Sequence, residues 1–460
     1  MAESGRPLVN LGLVRAHLAA SAVFFGVLIV AGLLFALQMT GTYPFPGVEL
    51  MSPGRVRMVH TNMAAYGFIA NALIAGMLWA IPRLTRQPIL SDLLGWLIFW
   101  AWQAICAATV LGLLLGYAQA VEWGETPVFV DPLVMVGLVL LVVNLSAPIL
   151  RTQERGLYVT LWYFLAAFAW TGLVYFMGNY FPQFWVPGAA GAAITGLFIH
   201  DLVGLFVTPI GWGLMYFFVP ILLRKPIWSH ALSLIGFWGL AFFYPMQGVH
   251  HFLLSPIPMY AQYAAVVATI AIEVVVTTVI VNFFGTLHGR MEAVRGNLPI
   301  RWFYTGMIGY AVTCLQCAFQ VTLTFQEIIH FTDWVVGHAH LVMYGVFGFW
   351  IMGLYVELWP RVVGRPWYSP RLLTWHYWLS TLGLIAMFVD LLAAGLVQGF
   401  LWRDLHHWAD SVIASMPFWW TRTFSGLMIT AGSGALFYNM WMTARQPAAA
   451  AEPAARPAVA

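Results

Sequence analysis

Twelve apolar runs, each long enough to cross a bilayer, follow one another through this 460-residue chain. They fall at roughly 16–38, 61–82, 92–116, 132–150, 158–177, 191–222, 230–254, 261–285, 302–324, 335–358, 374–399 and 415–442. A helix rising about 1.5 Å per residue needs about 20 apolar residues to span the hydrocarbon core. There only helices and closed barrels satisfy their own backbone, and runs of this length read as helices. Composition agrees, at 61% hydrophobic and 8% charged with a mean hydropathy of +0.81. The expected fold is an all-α integral membrane protein of about twelve transmembrane helices over residues 1–445. The Ala/Pro-rich segment 446–460 is expected to be a disordered tail. The sequence by itself displays neither an internal repeat nor a soluble insertion. The first run is too long for a secretory signal and is read as a retained helix.

Basic residues set the orientation. All but four of the 20 Lys and Arg residues lie at the N-terminus, in the C-terminal tail or in loops after even-numbered runs. The exceptions are Arg55, Arg57, Arg403 and Arg422. The positive-inside rule then puts both termini in the cytoplasm. The formal net charge of +3 reflects this asymmetry and gives no reason to expect a nucleic-acid partner. Cys106, Cys314 and Cys317 all fall within runs and imply no disulfide framework; the CxxC at 314–317 reads as small apolar packing.

Histidine is out of place in lipid, yet His200, His250, His251, His338 and His340 lie inside apolar runs and His60 opens another. Ionisable groups within spans mark functional sites. The expected topology puts all six in the outer part of the membrane, on four helices. His338 and His340 are two residues apart, about 200° around a helix, so their rings point to opposite faces and serve two centres. A flat cofactor with an axial imidazole fits such a pair, and that means haem. His250 and His251 are adjacent, with Pro245 and Gly248 before them favouring an irregular helix end where both rings converge. With His200 they make a three-imidazole site, which suits Cu, Fe or Zn. Redox work beside haem narrows this to Cu or Fe. The reading assembles as one six-coordinate haem on His60 and one of His338 and His340. A five-coordinate haem on the other faces the three-histidine metal, and a small diatomic binds between.

The chain resembles subunit I of the haem–copper oxygen reductases, and among them the cbb3-type cytochrome c oxidase catalytic subunit. The resemblance is carried by RVRMVHTNM around His60, YAQAVEW around Glu122, IHDLVGLFVTPIGWGLMYFFVP from His200, YPMQGVHH at 244–251, HFTDWVVGHAH at 330–340, GLVQGFLWR at 395–403 and YNMWMTAR at 438–445. It implies that His60 and His340 are axial ligands of a low-spin haem b and His338 of a high-spin haem b3. It gives His200, His250 and His251 to copper as Cu(B). Arg57 would meet haem propionates, and Glu122 would help to hold a calcium near them. Tyr244 matches the tyrosine that the family crosslinks to a copper histidine, here His200, and that supplies an electron and a proton. Tyr216, Ser233 and Thr286 match positions of the family's proton channel. The implied function is O2 reduction to water with proton translocation, fed by a cytochrome c-type electron-donor subunit in the inner (plasma) membrane of a prokaryote.

Three residues depart from that pattern. Asp201 stands where the oxidases have Asn, Glu273 sits inside the eighth run, and Gln316 replaces a glutamate. The related nitric oxide reductases place a carboxylate four residues after the first metal histidine, where this chain has Gly204, and keep a buried Glu near their iron that Glu273 loosely resembles. Reduction of NO to N2O therefore stays open beside O2 reduction. A non-catalytic haem-binding sensor or assembly subunit, or a transporter reusing the fold, stays open as a different class. The chain has no CxxCH for a covalently attached haem c, so electrons must arrive through a partner.

Overall fold

The computed structural model describes residues 6–154 and 156–447. Apart from residues 446 and 447, the tail expected to be disordered lies outside the described residues. Twelve long helices account for nearly all the rest: α1 (Leu11–Met39), α2 (Pro53–Thr85), α3 (Asp92–Leu115), α4 (Asp131–Arg151), α5 (Val159–Trp185), α6 (Gly188–Leu223), α7 (His230–Phe252), α8 (Met259–Leu287), α9 (Leu298–Gln320), α10 (Asp333–Val363), α11 (Pro370–Arg403) and α12 (Trp408–Arg445). Ten of the described helices are long and apolar enough to cross a membrane, eleven if α9 is counted with the short helix Leu323–Ile329 that follows it. The chain bends by 105° between those two, so the ninth run stops short of the residue 324 expected from sequence. The twelfth, α12, carries enough polar groups to fall below the hydropathy of the others, yet it packs along α11.

Three helices form the interior. The apolar windows of α2, α6 and α10 are 94%, 94% and 83% buried, against at most 50% for the other apolar spans, which face lipid on one side. The three are built alike. His60 precedes a π-helical stretch at Met63–Ile69, His200 one at Leu202–Val207 and His340 one at Leu341–Gly348. Such wide turns recur at functional sites. A proline then lies near each inner end (Pro82, Pro220, Pro360), and each helix stops at a left-handed residue, Arg86, Arg224 or Gly364. The next helix opens on a capping serine, Ser91, Ser229 or Ser369, whose backbone N–H donates to a buried asparagine on the helix after it: Asn144 (2.9 Å), Asn282 (2.9 Å) or Asn439 (3.0 Å). His60, His200 and His340 are spaced by 140 residues each time. The chain is thus a threefold internal repeat of four helices, contrary to the sequence reading of no repeat. The repeated residues are too few and too widely spaced to stand out against an apolar background.

Candidate active site

The repeat explains why imidazoles from separate spans meet at one depth. Each unit contributes one histidine at the same height, just outside its π-helical stretch. The second unit adds His250 and His251, and the third adds His338. At His250 and His251 the end of α7 is not α-helical: Tyr244–Met246 and Gly248–Phe252 are 3-10 turns, as Pro245 and Gly248 suggested. Gly248 is obligatory, since a Cβ there would lie 2.3 Å from Leu197 Cα on α6.

His200, His250 and His251 form one cluster, with a ligand nitrogen of each within 4.8 Å of the others. His200 Nε2–H donates to Gln247 Oε1 (2.9 Å), leaving the lone pair of Nδ1 facing His251 Nε2 at 3.3 Å. His250 Nδ1–H donates to Thr269 Oγ1 (2.7 Å), leaving its Nε2 free. Hydrogen bonds of this kind fix the tautomer and orientation of a metal-binding ring. Metal–imidazole bonds are about 2 Å long, so the set fits one ion.

His338 and His340 part company as their spacing requires. His338 lines the cavity that contains the three-histidine cluster, His340 lines a second cavity, and Ala339 between them borders both. In the second cavity His60 and His340 face each other, with ring centroids 6.0 Å apart and planes 27° apart. Each directs Nδ1–H to a backbone carbonyl, His60 to Leu28 (2.7 Å) and His340 to Val336 (2.8 Å), so both Nε2 atoms are free toward the gap. Two bonds of about 2 Å to one metal fit that gap. On the other side His338 donates from Nδ1 to Gln316 Oε1 (2.8 Å), and Cys317 Sγ lies 3.7 Å from its Nε2. Gln316, the departure noted in the sequence, therefore orients His338.

Tyr244 stacks on His200 with ring centroids 4.3 Å apart and planes 20° apart. It lies directly on Gly204, where a Cβ would come 1.6 Å from Tyr244 Cε1. Asp201 is buried, has an unpartnered Oδ1, and is not part of the histidine cluster. Glu273 is half-buried and lines the first cavity, as do Cys314 and Cys317. Tyr216 and Thr286 come together around Asn282, whose amide donates to Tyr216 Oη (3.4 Å) and whose carbonyl accepts from Thr286 (2.7 Å). Ser233 bonds within its own helix, to His230 O (2.7 Å). No direct hydrogen bond joins any of these three to Tyr244 among the described residues.

Glu122 is exposed at the rim of both cavities. The buried acid there is Glu125, which the sequence reading passed over. Its carboxylate accepts from Asn62 (2.7 Å) and pairs with Arg57 at 3.5 Å. Burial pushes the Glu125 carboxyl above the usual range, against the opposing pull of Asn62 and Arg57. The sequence reading also took Arg422 for an outer-side arginine. It is buried in α12, lines the second cavity, and among the described residues has only Asp333, at 3.9 Å, as an ion-pair partner. Two guanidiniums, Arg57 and Arg422, thus border the His60–His340 cavity and suit an acidic group within it. An arginine inside the twelfth apolar run was the available signal.

Residues 12–428 match the family described as cytochrome c and quinol oxidase polypeptide I. The chain belongs to that family. Cytochrome c oxidase subunit 1 of Rhodobacter capsulatus is 28% identical, over 95% of this chain and 86% of the relative. The cbb3-type cytochrome c oxidase subunit CcoN1 of Stutzerimonas stutzeri is 27% identical, over 92% of both chains. A nitric oxide reductase polypeptide of the same organism is 25% identical, over 94% of this chain and 96% of the relative. A heme–copper terminal oxidase dimer solved by cryo-EM shares the fold, with a TM-score of 0.78 at 11% identity over 97% of this chain and 86% of the other. The chain is therefore a haem–copper oxygen reductase and a multi-span membrane enzyme. The donor sets above fit the haem and copper that the family carries.

Proposed function

We propose that this protein is the catalytic subunit of a cbb3-type cytochrome c oxidase. In this reading His60 and His340 hold a low-spin haem b, His338 a high-spin haem b3, and His200, His250 and His251 a copper ion, Cu(B). When bound, these groups supply the electron path and the place where O2 is reduced to water. Electrons come from a cytochrome c-type partner subunit, and protons are moved across the plasma membrane of a prokaryote, with both termini in the cytoplasm.

One observation carries the choice of O2 over NO: the Tyr244 ring is stacked on His200 and seated on Gly204. A phenol there can give up a proton from Oη and an electron from its ring. The same seat fills the space that a carboxylate at position 204 would need. The remaining residues keep the site in order. Gln247, Thr269 and Gln316 orient His200, His250 and His338 through the bonds already described, and Arg57 and Arg422 take the acidic groups of the cofactor. Glu122, exposed at the rim of both cavities, is the acid for a calcium ion near Arg57, and the buried Glu125 behind it is not one of its ligands. Tyr216, Ser233 and Thr286 mark the inner approach for protons, with water needed to complete it to Tyr244.

A second reading, reduction of NO, is favoured by Glu273 on the wall of the cavity that holds the three histidines. Metal analysis, O2 and NO turnover and peptide mapping on one purified sample decide between them. Copper, O2 turnover and a joined His200–Tyr244 peptide are expected. Iron in place of copper with NO turnover alone would overturn the proposal, and haem without turnover of either gas would favour a sensor.

A further inference from the structure

A thiol on the wall of the first cavity lies outside the set of ligand histidines. Cys317 sits in the last turn of α9, half-buried, and lines the same cavity as His200, His250 and His251. Small apolar packing suits the buried Cys314 better than Cys317, whose sulfur meets a polar atom: its Sγ lies 3.7 Å from His338 Nε2. His338 Nδ1–H donates to Gln316 Oε1 (2.8 Å), so Nε2 is the acceptor of that ring and the Cys317 thiol donates toward it. Gln316 and Cys317 are neighbours on α9. The residue that fixes the imidazole and the residue that offers sulfur are therefore held by one turn of helix.

A thiol and an imidazole placed in this way are a ready pair of metal donors. Bonds of about 2.3 Å to sulfur and about 2 Å to imidazole nitrogen, meeting at a tetrahedral angle, hold the two donors about 3.6 Å apart. One ion thus fits between Sγ and Nε2 with neither side chain moved. Thiolate donors select Cu(I) among the biological metals, and imidazole accepts it as well. Among the described residues no third His, Cys, Asp or Glu joins the pair, whereas the cluster elsewhere on the cavity wall has three imidazoles with ligand atoms within 4.8 Å of one another. An ion held by the pair gains a donor by moving to the cluster.

We propose that Cys317 Sγ and His338 Nε2 form a transient Cu(I) site, which receives copper before the high-spin haem is bound and passes it to His200, His250 and His251. This rests on the assignment of His338 to that haem and of the three histidines to copper. On loading, Cu(I) replaces the thiol proton between Sγ and Nε2, and that proton leaves to water. Copper stays Cu(I) throughout, so no electron moves. His338 has one lone pair to give, because its Nδ1 keeps a proton for Gln316. Once Nε2 is committed to haem iron, Cys317 is left as a single donor and the three imidazoles of the same cavity outbid it. Copper first and haem second is the order that this geometry permits.

The test compares the natural enzyme, Cys317→Ser and Cys314→Ser, each purified as holoenzyme from cells grown at limiting and at replete copper. Copper and haem are measured in every sample, and loss of copper to a Cu(I) chelator is followed in the replete ones. At limiting copper the copper-to-haem ratio of Cys317→Ser is expected to fall to about half the natural value or less, with Cys314→Ser unchanged. Replete copper should restore Cys317→Ser in full, which separates poor loading from misfolding. Its loss of copper to the chelator should match the natural enzyme, because the three imidazoles are intact. Equal ratios in all three proteins at limiting copper overturn the proposal, and so does an equal deficit in Cys314→Ser. A deficit that replete copper does not cure, or faster loss to the chelator, also overturns it, since Cys317 would then support the finished site. Failure of the underlying assignments shows separately. His338→Ala would keep its high-spin haem band, or the natural enzyme would hold no copper at either level.

Discussion

His340 faces His60 across the second cavity, while His338, two positions earlier on α10, turns into the first. Removing one imidazole should therefore cost one cofactor. His340→Ala and His60→Ala should abolish the low-spin haem signal and roughly halve the haem-to-protein ratio. His338→Ala should instead remove the high-spin signal. Reduced-minus-oxidised spectra and haem extraction check this. A single variant that empties both sites would show that the cavities do not fill independently.

Tyr244 and Gly204 form a lock that two substitutions separate. Tyr244→Phe keeps the ring on Gly204 and removes only the hydroxyl. O2 turnover should fall by about 10²–10⁴-fold, the usual weight of a positioned proton donor, with both haem spectra unchanged. Peptides carrying His200 and Tyr244 should run joined in the natural protein and apart in this variant. Gly204→Ala would favour a helix on propensity alone by about 1 kcal/mol. Here its Cβ meets Tyr244 at 1.6 Å, so it should lower thermal stability and copper content. Copper-to-haem ratios and melting curves read the outcome.

The clustered histidines were legible because lipid makes them conspicuous: an imidazole in an apolar run needs a reason, and the His338–Ala339–His340 spacing puts the two rings on opposite faces of one helix. The twelve spans were legible for the same reason. Glu125 was not, because it lies in an outer segment where acids are ordinary and only its burial against Asn62 and Arg57 distinguishes it from Glu122. The repeat was not, because its signature residues, such as Ser229 and Asn282, act across 53 positions through hydrogen bonds that no local pattern encodes. Arg422 was overlooked as a cavity residue although its place inside an apolar run marks it as plainly as it marks His200.

Gln316 gives His338 a neutral acceptor at 2.8 Å. Gln316→Glu would offer an ionised one, and charge-assisted hydrogen bonds are roughly twice as strong. More electron density on the ring should raise the iron–histidine stretching frequency and lower the high-spin haem potential. Gln316→Ala leaves Nδ1–H buried without a partner, at a cost of about 1–3 kcal/mol, and should broaden that band. Resonance Raman spectra of the reduced variants decide. Identical bands in all three proteins would mean that Gln316 does not act through His338.

Glu125 offers a prediction in pH. Burial raises its carboxyl above the ordinary value of 4.5 in spite of Asn62 and Arg57, so ionising it opposes the folded state. A group shifted upward contributes its stabilisation fully below the unfolded pKa and loses it as pH rises through the folded one. Glu125→Gln keeps an acceptor for Asn62 and cannot ionise, so it escapes that loss. The melting temperature of the variant should therefore gain on the natural protein as pH is raised from 4 to 8, with the change concentrated above the ordinary carboxyl range. The ion pair with Arg57 is long, at 3.5 Å, and Arg57 is partly exposed, so its loss offsets little of this gain. Melting curves of both holoenzymes at several pH values check the sign. A variant that instead falls progressively behind as pH rises would show that the ionised carboxylate is what the fold requires, as it would be if a bound cation sat beside it.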